Sequence, residues 1–304
     1  MRRFLVRRLA VAVLVIVTVS FVGFSLLRLS GNLAAVLAGE GASPREVARV
    51  AAQYGLDRPF FIQYLDWAGN ALRGNLGKSL FTGESVSHLI ATHIGVTAAL
   101  AFASLALGLA LAIPLGVFAA TRPNSWLDRA SLTFAASGYA IPSFWFGLIL
   151  IYIFGVRLRW LPTSGSDGWT HFVLPTIALG IATMPAIMRL TRAGMLDVLS
   201  ADYVRTARAK GLRTMTVLYR HALPNAILPV VSISAAQLGM LLGGSVIIES
   251  VFALNGIGLL AFQAIANADF PVVQSILIFL SVVYVVLTLI AELINARLDP
   301  RIRL

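Results

Sequence analysis

The sequence predicts an all-α protein that crosses a membrane six times. Of its 304 residues, 58% are hydrophobic and 12% are charged, whereas an average soluble domain has about 25% charged residues. Six uncharged stretches of 17 to 28 residues occur along the chain, and a helix needs about 20 residues to cross the hydrocarbon core. All 24 lysine and arginine residues lie outside these stretches, as expected for segments embedded in lipid.

The uncharged stretches set the bounds of the six predicted helices. They span residues 9–27, 94–121, 130–156, 172–188, 222–248 and 270–291. The first follows four arginines and resembles a signal peptide in that respect. Its 19 uncharged residues exceed the 7–15 of a signal-peptide apolar region, so we interpret it as a spanning helix.

Charge predicts the orientation of these helices. An even number of spans places both termini on one side, and 16 of the 24 lysines and arginines then share that side. Cytoplasmic loops carry an excess of cations. The N- and C-termini are therefore predicted to be cytoplasmic. The net charge of +11 arises from loops between apolar spans, so it does not indicate nucleic-acid binding.

The longest polar segment, residues 30–93, is predicted to be a small helical lid on the extracytoplasmic side, between helices 1 and 2. The sequence Ser43-Pro44-Arg45-Glu46 is typical of a helix start, with Ser43 as the cap, Pro44 at the first position and Glu46 at the third. Gly55 is placed to end this helix. A second helix is predicted over residues 63–72.

The sequence shows no pattern for catalysis or metal binding. Gly77-Lys78-Ser79 is similar to the end of a phosphate-binding loop, but the glycine required five residues earlier is Leu72. The chain has no cysteine, and its four histidines are scattered at span ends. It contains neither a His-Glu-x-x-His nor a Gly-x-Ser-x-Gly motif. We expect no catalytic residue, no metal and no cofactor in this chain.

A basic stretch over residues 200–229 predicts a short helix outside the membrane. Ser200 is expected to cap it, and Asp202 places a negative charge in its first turn. Arg208 and Lys210 place cations in the last turn, and Gly211 is placed to end the helix in the left-handed conformation.

The same helix has one face of small residues, Val204, Ala207 and Gly211, at spacings of three and four. A small apolar face beside a cationic face suits docking into the groove of a partner. The alternative is a basic loop that only sets membrane topology.

Residues 205–224 resemble the conserved cytoplasmic loop of ABC-importer permeases. That loop reads Glu-Ala-Ala, three residues, Gly, nine residues, Ile, one residue, Leu-Pro. Gly211 and Leu223-Pro224 fall at the matching positions. The triplet position holds Arg205-Thr206-Ala207, and the isoleucine position holds His221.

Further text along the chain is similar to the dipeptide/oligopeptide/nickel group of these permeases. It departs from the group at Leu29-Ser30-Gly31-Asn32 and at Leu254-Asn255-Gly256. The similar segments are the N-terminal basic helix, Gly55-Leu56-Asp57-Arg58-Pro59, residues 74–79, residues 161–165, Glu249-Ser250-Val251-Phe252, Gly256-Ile257-Gly258 and residues 298–303.

The resemblance implies a permease subunit of an ATP-driven importer in the bacterial inner membrane. Residues 1–29 then form the N-terminal tail and first helix, 30–93 the lid, and 94–304 the permease core. The loop at about 194–226 holds the coupling helix, which seats on a cytoplasmic ATPase subunit. The implied contact residues are Asp202, Tyr203, Arg205, Ala207, Arg208, Lys210 and Gly211.

The resemblance also implies the partners. Two ATPase subunits bind ATP and Mg, a second permease subunit is a different chain, and an extracytoplasmic solute-binding protein delivers the solute. Di- and oligopeptides are the expected cargo, with nickel chelates, glutathione or opines as alternatives. An ion-coupled secondary transporter is a further alternative, but the chain shows no inverted repeat.

The fifth span carries a polar face that we interpret as part of the substrate pathway. It comprises Ser234, Gln237, Ser245 and Glu249, with Leu241 interrupting the polar side chains. An acidic residue at membrane depth is a candidate functional group. Because Glu249 is expected near the outer interface, solvation or a local hydrogen bond is the alternative.

Overall fold

The computed structural model describes residues 2–29, 31, 33–39 and 41–298. In that part of the chain the regular structure is helical, apart from one isolated bridge between Lys78 and Ser85. The α-helices are α1 Arg2–Leu29, α2 Leu33–Ala38, α3 Pro44–Gln53, α4 Phe60–Leu72, α5 Val86–Thr121, α6 Trp126–Ala140, α7 Ser143–Leu150, α8 Thr170–Leu199, α9 Asp202–Ala209, α10 Thr214–Thr216, α11 Leu223–Ala226, α12 Leu228–Gly244, α13 Val246–Val251, α14 Ile257–Ala266 and α15 Phe270–Leu298. Two π-helices, Ile151–Arg157 and Val217–Ala222, complete the set.

Four of the described helices are long and apolar enough to cross a membrane: α1, α5, α8 and α15. A fifth candidate span is a pair, Thr214–Ala226 and Leu228–Gly243, bent by 60°. Pro229 is the second residue of the second member of this pair, and proline lacks the backbone N–H that a continuous helix requires. The helix pair at the predicted fifth span therefore begins before residue 222 and is bent.

The predicted third span is interrupted rather than continuous. Helix α6 ends at Ala140, and Pro142 caps the start of α7. Ile141 has ψ of 119°, the extended conformation that proline favours in the preceding residue. Hydrophobicity indicated one apolar segment here, but Pro142 divides it into α6 and α7. Helix α7 then continues into the first π-helix, Ile151–Arg157.

The chain divides into two compact units. One comprises Arg2–Gly95 with Gly256–Val285, and the other comprises Val96–Asn255 with the chain from Val286 onward. Each unit is described by itself below.

In the unit that contains α1, aromatic side chains join α1 to α4. Phe21 and Phe24 of α1 meet aromatic side chains of α4 with ring centroids 5.2–6.2 Å apart, a separation typical of favourable aromatic pairs. Ser20 Oγ and Tyr64 OH are hydrogen-bonded at 2.8 Å. These contacts fasten α4 to the end of the first apolar helix.

The predicted start of α3 is confirmed. Ser43 accepts a hydrogen bond from the Glu46 backbone N–H, and the Glu46 carboxylate accepts one from the Ser43 N–H at 2.7 Å. Hydrogen bonds from the hydroxyl and backbone N–H of Ser43 lower the pKa of Glu46. Gly55 follows the helix with φ of +65°, as expected for the glycine that ends it.

In the other unit, close backbone approaches join α8 to α5 and to α11. A Cβ added to Gly116 would lie 2.8 Å from the Met188 carbonyl oxygen and 2.7 Å from Thr191 Cβ. A Cβ at Gly194 of α8 would lie 2.5 Å from the Ala226 carbonyl oxygen. Small residues allow helix backbones to approach this closely in membrane proteins.

Candidate functional site

Helix α9 follows α8 after a turn of two residues. Asp202 occupies its first turn and Arg208 its last, as the charge pattern predicts. The predicted cap is wrong. Ser200 has αR dihedrals and ends α8, whereas a capping residue needs extended dihedrals. Ala201 takes that position and offers no side-chain hydrogen bond, while Ser200 Oγ donates to the Asp197 carbonyl.

Gly211 ends the short helix as predicted. Its φ is +77°, a backbone angle that residues other than glycine and asparagine rarely adopt. Its N–H donates to the Arg208 carbonyl at 2.9 Å. The position is exposed, and an added Cβ would meet no atom within 4 Å. Backbone conformation, rather than crowding within the chain, therefore favours glycine here.

The apolar face of α9 lies against the protein itself. Val204 is fully buried and Ala207 nearly so. They belong to one cluster whose other members are Val117, Ala120, Met195, Val217, Leu218, Ala222 and Ala226. Of the predicted small-residue face, only Gly211 is exposed. Val204 and Ala207 thus hold α9 in position on α5, α8 and the second π-helix.

The opposite face of α9 is exposed and cationic. Its members are Asp202, Tyr203, Arg205, Arg208 and Lys210. Arg205 lies 3.4 Å from Asp202, with both side chains largely in solvent. Arg208 and Lys210 add two further cations. We call this set the α9 surface; it presents three cations and one carboxylate.

Tyr203 links the α9 surface to the next helix. Its hydroxyl accepts a hydrogen bond of 2.9 Å from Asn225 Nδ2, and Asn225 lies in α11. This contact joins α9 to the end of the first member of the bent helix pair.

An ion pair lies near the same loop, and the sequence analysis did not identify it. Arg192 of α8 donates two hydrogen bonds to the buried carboxylate of Asp128 in α6, at 2.6 and 2.7 Å. The backbone N–H of Asn124 donates a third. The bonds from Arg192 lower the pKa of Asp128 although burial opposes this. The sequence signal that could have revealed this pair is an acidic residue, Asp128, just before the uncharged stretch 130–156.

The five pathway candidates of the fifth span differ in burial. Leu241, Ser245 and Glu249 are buried, whereas Ser234 and Gln237 are half-buried. Ser234 Oγ donates to the Val230 carbonyl of its own helix. A pathway role for these five residues stays a prediction.

Glu249 takes part in the local hydrogen bonds that were its alternative interpretation. Its Oε1 accepts hydrogen bonds from Thr97 Oγ1 at 2.8 Å and from Ser245 Oγ at 2.7 Å. Its side chain is fully buried. The carboxylate therefore joins α5 to the segment that connects α12 with α13.

Gly77-Lys78-Ser79 is part of a different arrangement from a phosphate-binding loop. The carboxylate of Asp269 accepts hydrogen bonds from Ser79 Oγ and from the backbone N–H groups of Leu80 and Phe81. A bound phosphate would need these same donors, which Asp269 already occupies. The carboxylate of Asp269 would also repel the negative charge of a phosphate. Among the described residues, no three His, Cys, Asp or Glu side chains are grouped as a metal site would require.

Apolar helices of this length define the protein as a multi-pass membrane protein. Residues 112–304 match the family model of the binding-protein-dependent transport system inner membrane component, and residues 1–101 match the model of the corresponding N-terminal region. The chain belongs to this family and is a multi-pass protein of the bacterial inner membrane.

Curated relatives match nearly the whole chain. The probable peptide ABC transporter permease protein y4tP of Sinorhizobium fredii is 39% identical, over 99% of both chains. The glutathione transport system permease protein GsiC of Escherichia coli K12 is 38% identical, over 90% of both. The resemblance to ABC-importer permeases of the peptide group is therefore confirmed.

A solved structure supports the fold. One structure of the methionine ABC transporter MetNI in an inward-facing conformation aligns with a TM-score of 0.60 at 20% identity. The alignment covers 69% of this chain and 96% of that one. At this identity the likeness concerns the fold alone.

Proposed function

We propose that this chain forms half of the translocation pathway of an ATP-driven importer of di- and oligopeptides. A second, different permease chain would supply the other half. Two cytoplasmic subunits would bind ATP and Mg and hydrolyse the nucleotide, and an extracytoplasmic solute-binding protein would deliver the peptide. The α9 surface is the single observation that carries this proposal, because a permease that hydrolyses no ATP must receive work from another chain.

The proposal assigns two roles within α9. Val204 and Ala207 would transmit displacement to the core, because they are packed against α5 and α8. Asp202, Tyr203, Arg205, Arg208 and Lys210, with the exposed turn at Gly211, would contact the ATPase. A cationic surface suits an acidic groove, since complementary charge sets register and speeds encounter.

Alternating access is the mechanism that follows. ATP binding would close the ATPase pair and displace the two coupling helices. The permeases would then open outward to accept peptide, and hydrolysis would return them inward. Ser234, Gln237, Leu241, Ser245 and Glu249 are proposed for the pathway; the three buried ones would require helix rearrangement to reach solute.

We also propose six spans with both termini in the cytoplasm. The third span would be the broken segment over residues 130–156, and the fifth would lie within the bent pair. Single cysteines at Lys78 and Lys210, on this cysteine-free chain, should react with an impermeant reagent from opposite sides. Reaction of both from outside would contradict the orientation.

The coupling role is tested by charge reversal in the assembled transporter in vesicles. Arg208→Glu should reduce peptide- and receptor-stimulated ATP hydrolysis about tenfold or more, because the charge that meets the acidic groove is inverted. Arg297→Glu, at an exposed cation of α15, is the matched control and should leave it near wild type. Equal effects of both variants would contradict the assignment.

Uptake assays decide the cargo. A panel of peptides, glutathione, nickel chelates and opines should show ATP-dependent uptake of peptides first. Uptake that persists without ATP and collapses with an ion gradient would favour a secondary transporter instead.

A further inference from the structure

A small cavity lies beside Arg28 in the unit that contains α1. It is enclosed by the end of α1, by α4, by residues 75–77 and by the first turns of α15, and its volume is about 200 Å³. Sites for drug-sized ligands measure about 300–1,000 Å³. This cavity therefore fits a terminal group of a ligand rather than a whole peptide.

Arg28 supplies a cation to this cavity. Its guanidinium carbon lies 4.9 Å from the centre of the Phe24 ring, and its side chain is half-buried. In the described ranges no carboxylate forms an ion pair with it. A guanidinium matches a carboxylate through two parallel hydrogen bonds, so Arg28 has the chemistry to hold one.

Gln274 supplies a buried donor without a partner. It lines the cavity and is 7% exposed, and its Nε2 makes no hydrogen bond. Native proteins leave few buried polar atoms unsatisfied, and each such atom calls for an explanation. A ligand oxygen in the cavity would provide the missing acceptor.

The remaining polar residues of the cavity are two asparagines. Asn75 Oδ1 accepts from the Gly77 N–H at 3.1 Å, so its amide group offers donors. Asn70 Nδ2 donates to the Asp66 carbonyl. Trp67 and Phe270 add apolar walls. The lining thus combines one cation, amide donors and two aromatic rings, and it includes no carboxylate.

A larger cavity of about 700 Å³ shares Arg28, Trp67 and Asn70 with the small one. Arg58, Arg73 and Asp66 also line it. Asp66 is engaged by Arg58 at 3.1 Å, so the positive charge exceeds the negative in this lining. A solute whose terminal group enters the small cavity has room for the next residues here.

We propose that the Arg28 cavity binds the terminal carboxylate of a peptide-like solute, between Arg28 and the Gln274 amide. Trp67 and Phe270 would contact the side chain of the terminal residue. The identity of the solute rests on the proposed import function. The site itself is testable without transport.

The test measures binding of two probes to the full chain in phosphatidylcholine nanodiscs by saturation-transfer NMR. The probes are N-acetyl-alanyl-alanine and its C-terminal amide, which lacks the anionic charge. The carboxylate should bind about tenfold more tightly than the amide, because only it pairs with the guanidinium fork. Arg28→Gln should remove this preference. Arg73→Gln, which removes an exposed cation of the neighbouring cavity, should retain it.

A second variant keeps the test decisive if Arg28→Gln does not fold. Gln274→Glu is nearly isosteric and places a carboxylate beside Arg28, so it should abolish binding of the carboxylate probe. Equal binding of both probes to the wild type, or an unchanged preference in Gln274→Glu, would overturn the proposal.

A lipid headgroup is the other source of an anion, and the same preparation distinguishes it. Nanodiscs that contain phosphatidylglycerol should leave binding of the carboxylate probe unchanged. Displacement of the probe by this lipid, in the wild type and in Arg73→Gln alike, would assign the cavity to lipid and overturn the solute assignment. Normal peptide import without carboxylate binding would refute this site alone.

Discussion

The guanidinium of Arg192 donates two hydrogen bonds to the carboxylate of Asp128, from Nε to Oδ1 at 2.6 Å and from Nη2 to Oδ2 at 2.7 Å. The two residues are 64 positions apart and join α6 to α8. Helix α8 leads directly into α9. The pair therefore fixes the position of α8, the helix that precedes the α9 surface.

Loss of this pair should destabilise the protein. Asp128→Ala removes a buried carboxylate and leaves the Arg192 side chain, which is 21% exposed, without its partner. The expected cost is about 1–3 kcal/mol. Asp202→Ala breaks an exposed pair and should cost about 0–1 kcal/mol. Thermal unfolding in detergent measures both, and equal midpoints would contradict the structural role of Asp128.

The contribution of Asp128 to the stability of the fold should decrease at low pH. Hydrogen bonds from Arg192 hold the pKa of Asp128 below its ordinary value of 3.8. A carboxyl whose pKa is lower in the folded than in the unfolded protein stabilises the fold fully at pH values above its unfolded-state pKa. This stabilisation is lost as the pH falls through the folded-state pKa. The difference in unfolding midpoint between wild type and Asp128→Asn should stay constant between about pH 5 and 7 and shrink below about pH 4. A difference already lost near pH 6 would refute this account.

Glu249 should tolerate glutamine better than alanine. Both hydroxyl donors, Thr97 and Ser245, bond to the same oxygen, Oε1, and a glutamine retains that acceptor. Alanine leaves the hydroxyls of Thr97 and Ser245 buried without their acceptor, and each unsatisfied hydroxyl costs about 1–3 kcal/mol of folding free energy. Unfolding midpoints should rank wild type and Glu249→Gln above Glu249→Ala. A reversed order of the two variants would contradict the hydrogen-bonding role.

Substitution of Gly211 should separate folding from coupling. At φ of +77°, leucine costs on the order of 1 kcal/mol of backbone strain, with no clash inside the chain. We expect Gly211→Leu to reach normal abundance and to lose receptor-stimulated ATP hydrolysis. Gly211→Asn, which accepts positive φ, should keep most of it. Wild-type hydrolysis in the leucine variant would refute the coupling role at this turn.

Two glycines of α5 should respond differently to the same change. Gly116→Ala introduces a Cβ within 2.8 Å of the Met188 carbonyl, whereas a Cβ at Gly95 meets nothing within 4 Å. We expect Gly116→Ala to lower the unfolding midpoint. Gly95→Ala should leave it unchanged or raise it, since alanine favours a helix by about 0.5–1 kcal/mol over glycine. A common response would mean that α5 and α8 are not packed this closely.

The sequence by itself determined the features that a few neighbouring residues encode. Ser43 and Glu46 cap each other's backbone because they are three positions apart. Gly211 takes a positive φ because it lacks a Cβ. Long apolar runs predicted the membrane class, and ordered text along the chain identified the family, which the relatives confirm. The six-span count and the side of the termini stay predictions.

Only the tertiary structure decided which distant groups meet. Asp269 binds Ser79 across 190 positions, and Glu249 binds Thr97 across 152. It also decided that Ala207 packs against the core and that Ser200 ends α8 rather than capping α9. Helical periodicity tells which residues share a face, but the crossing of packed helices determines what that face contacts. That crossing depends on side chains from several helices at once, so no local stretch of sequence encodes it.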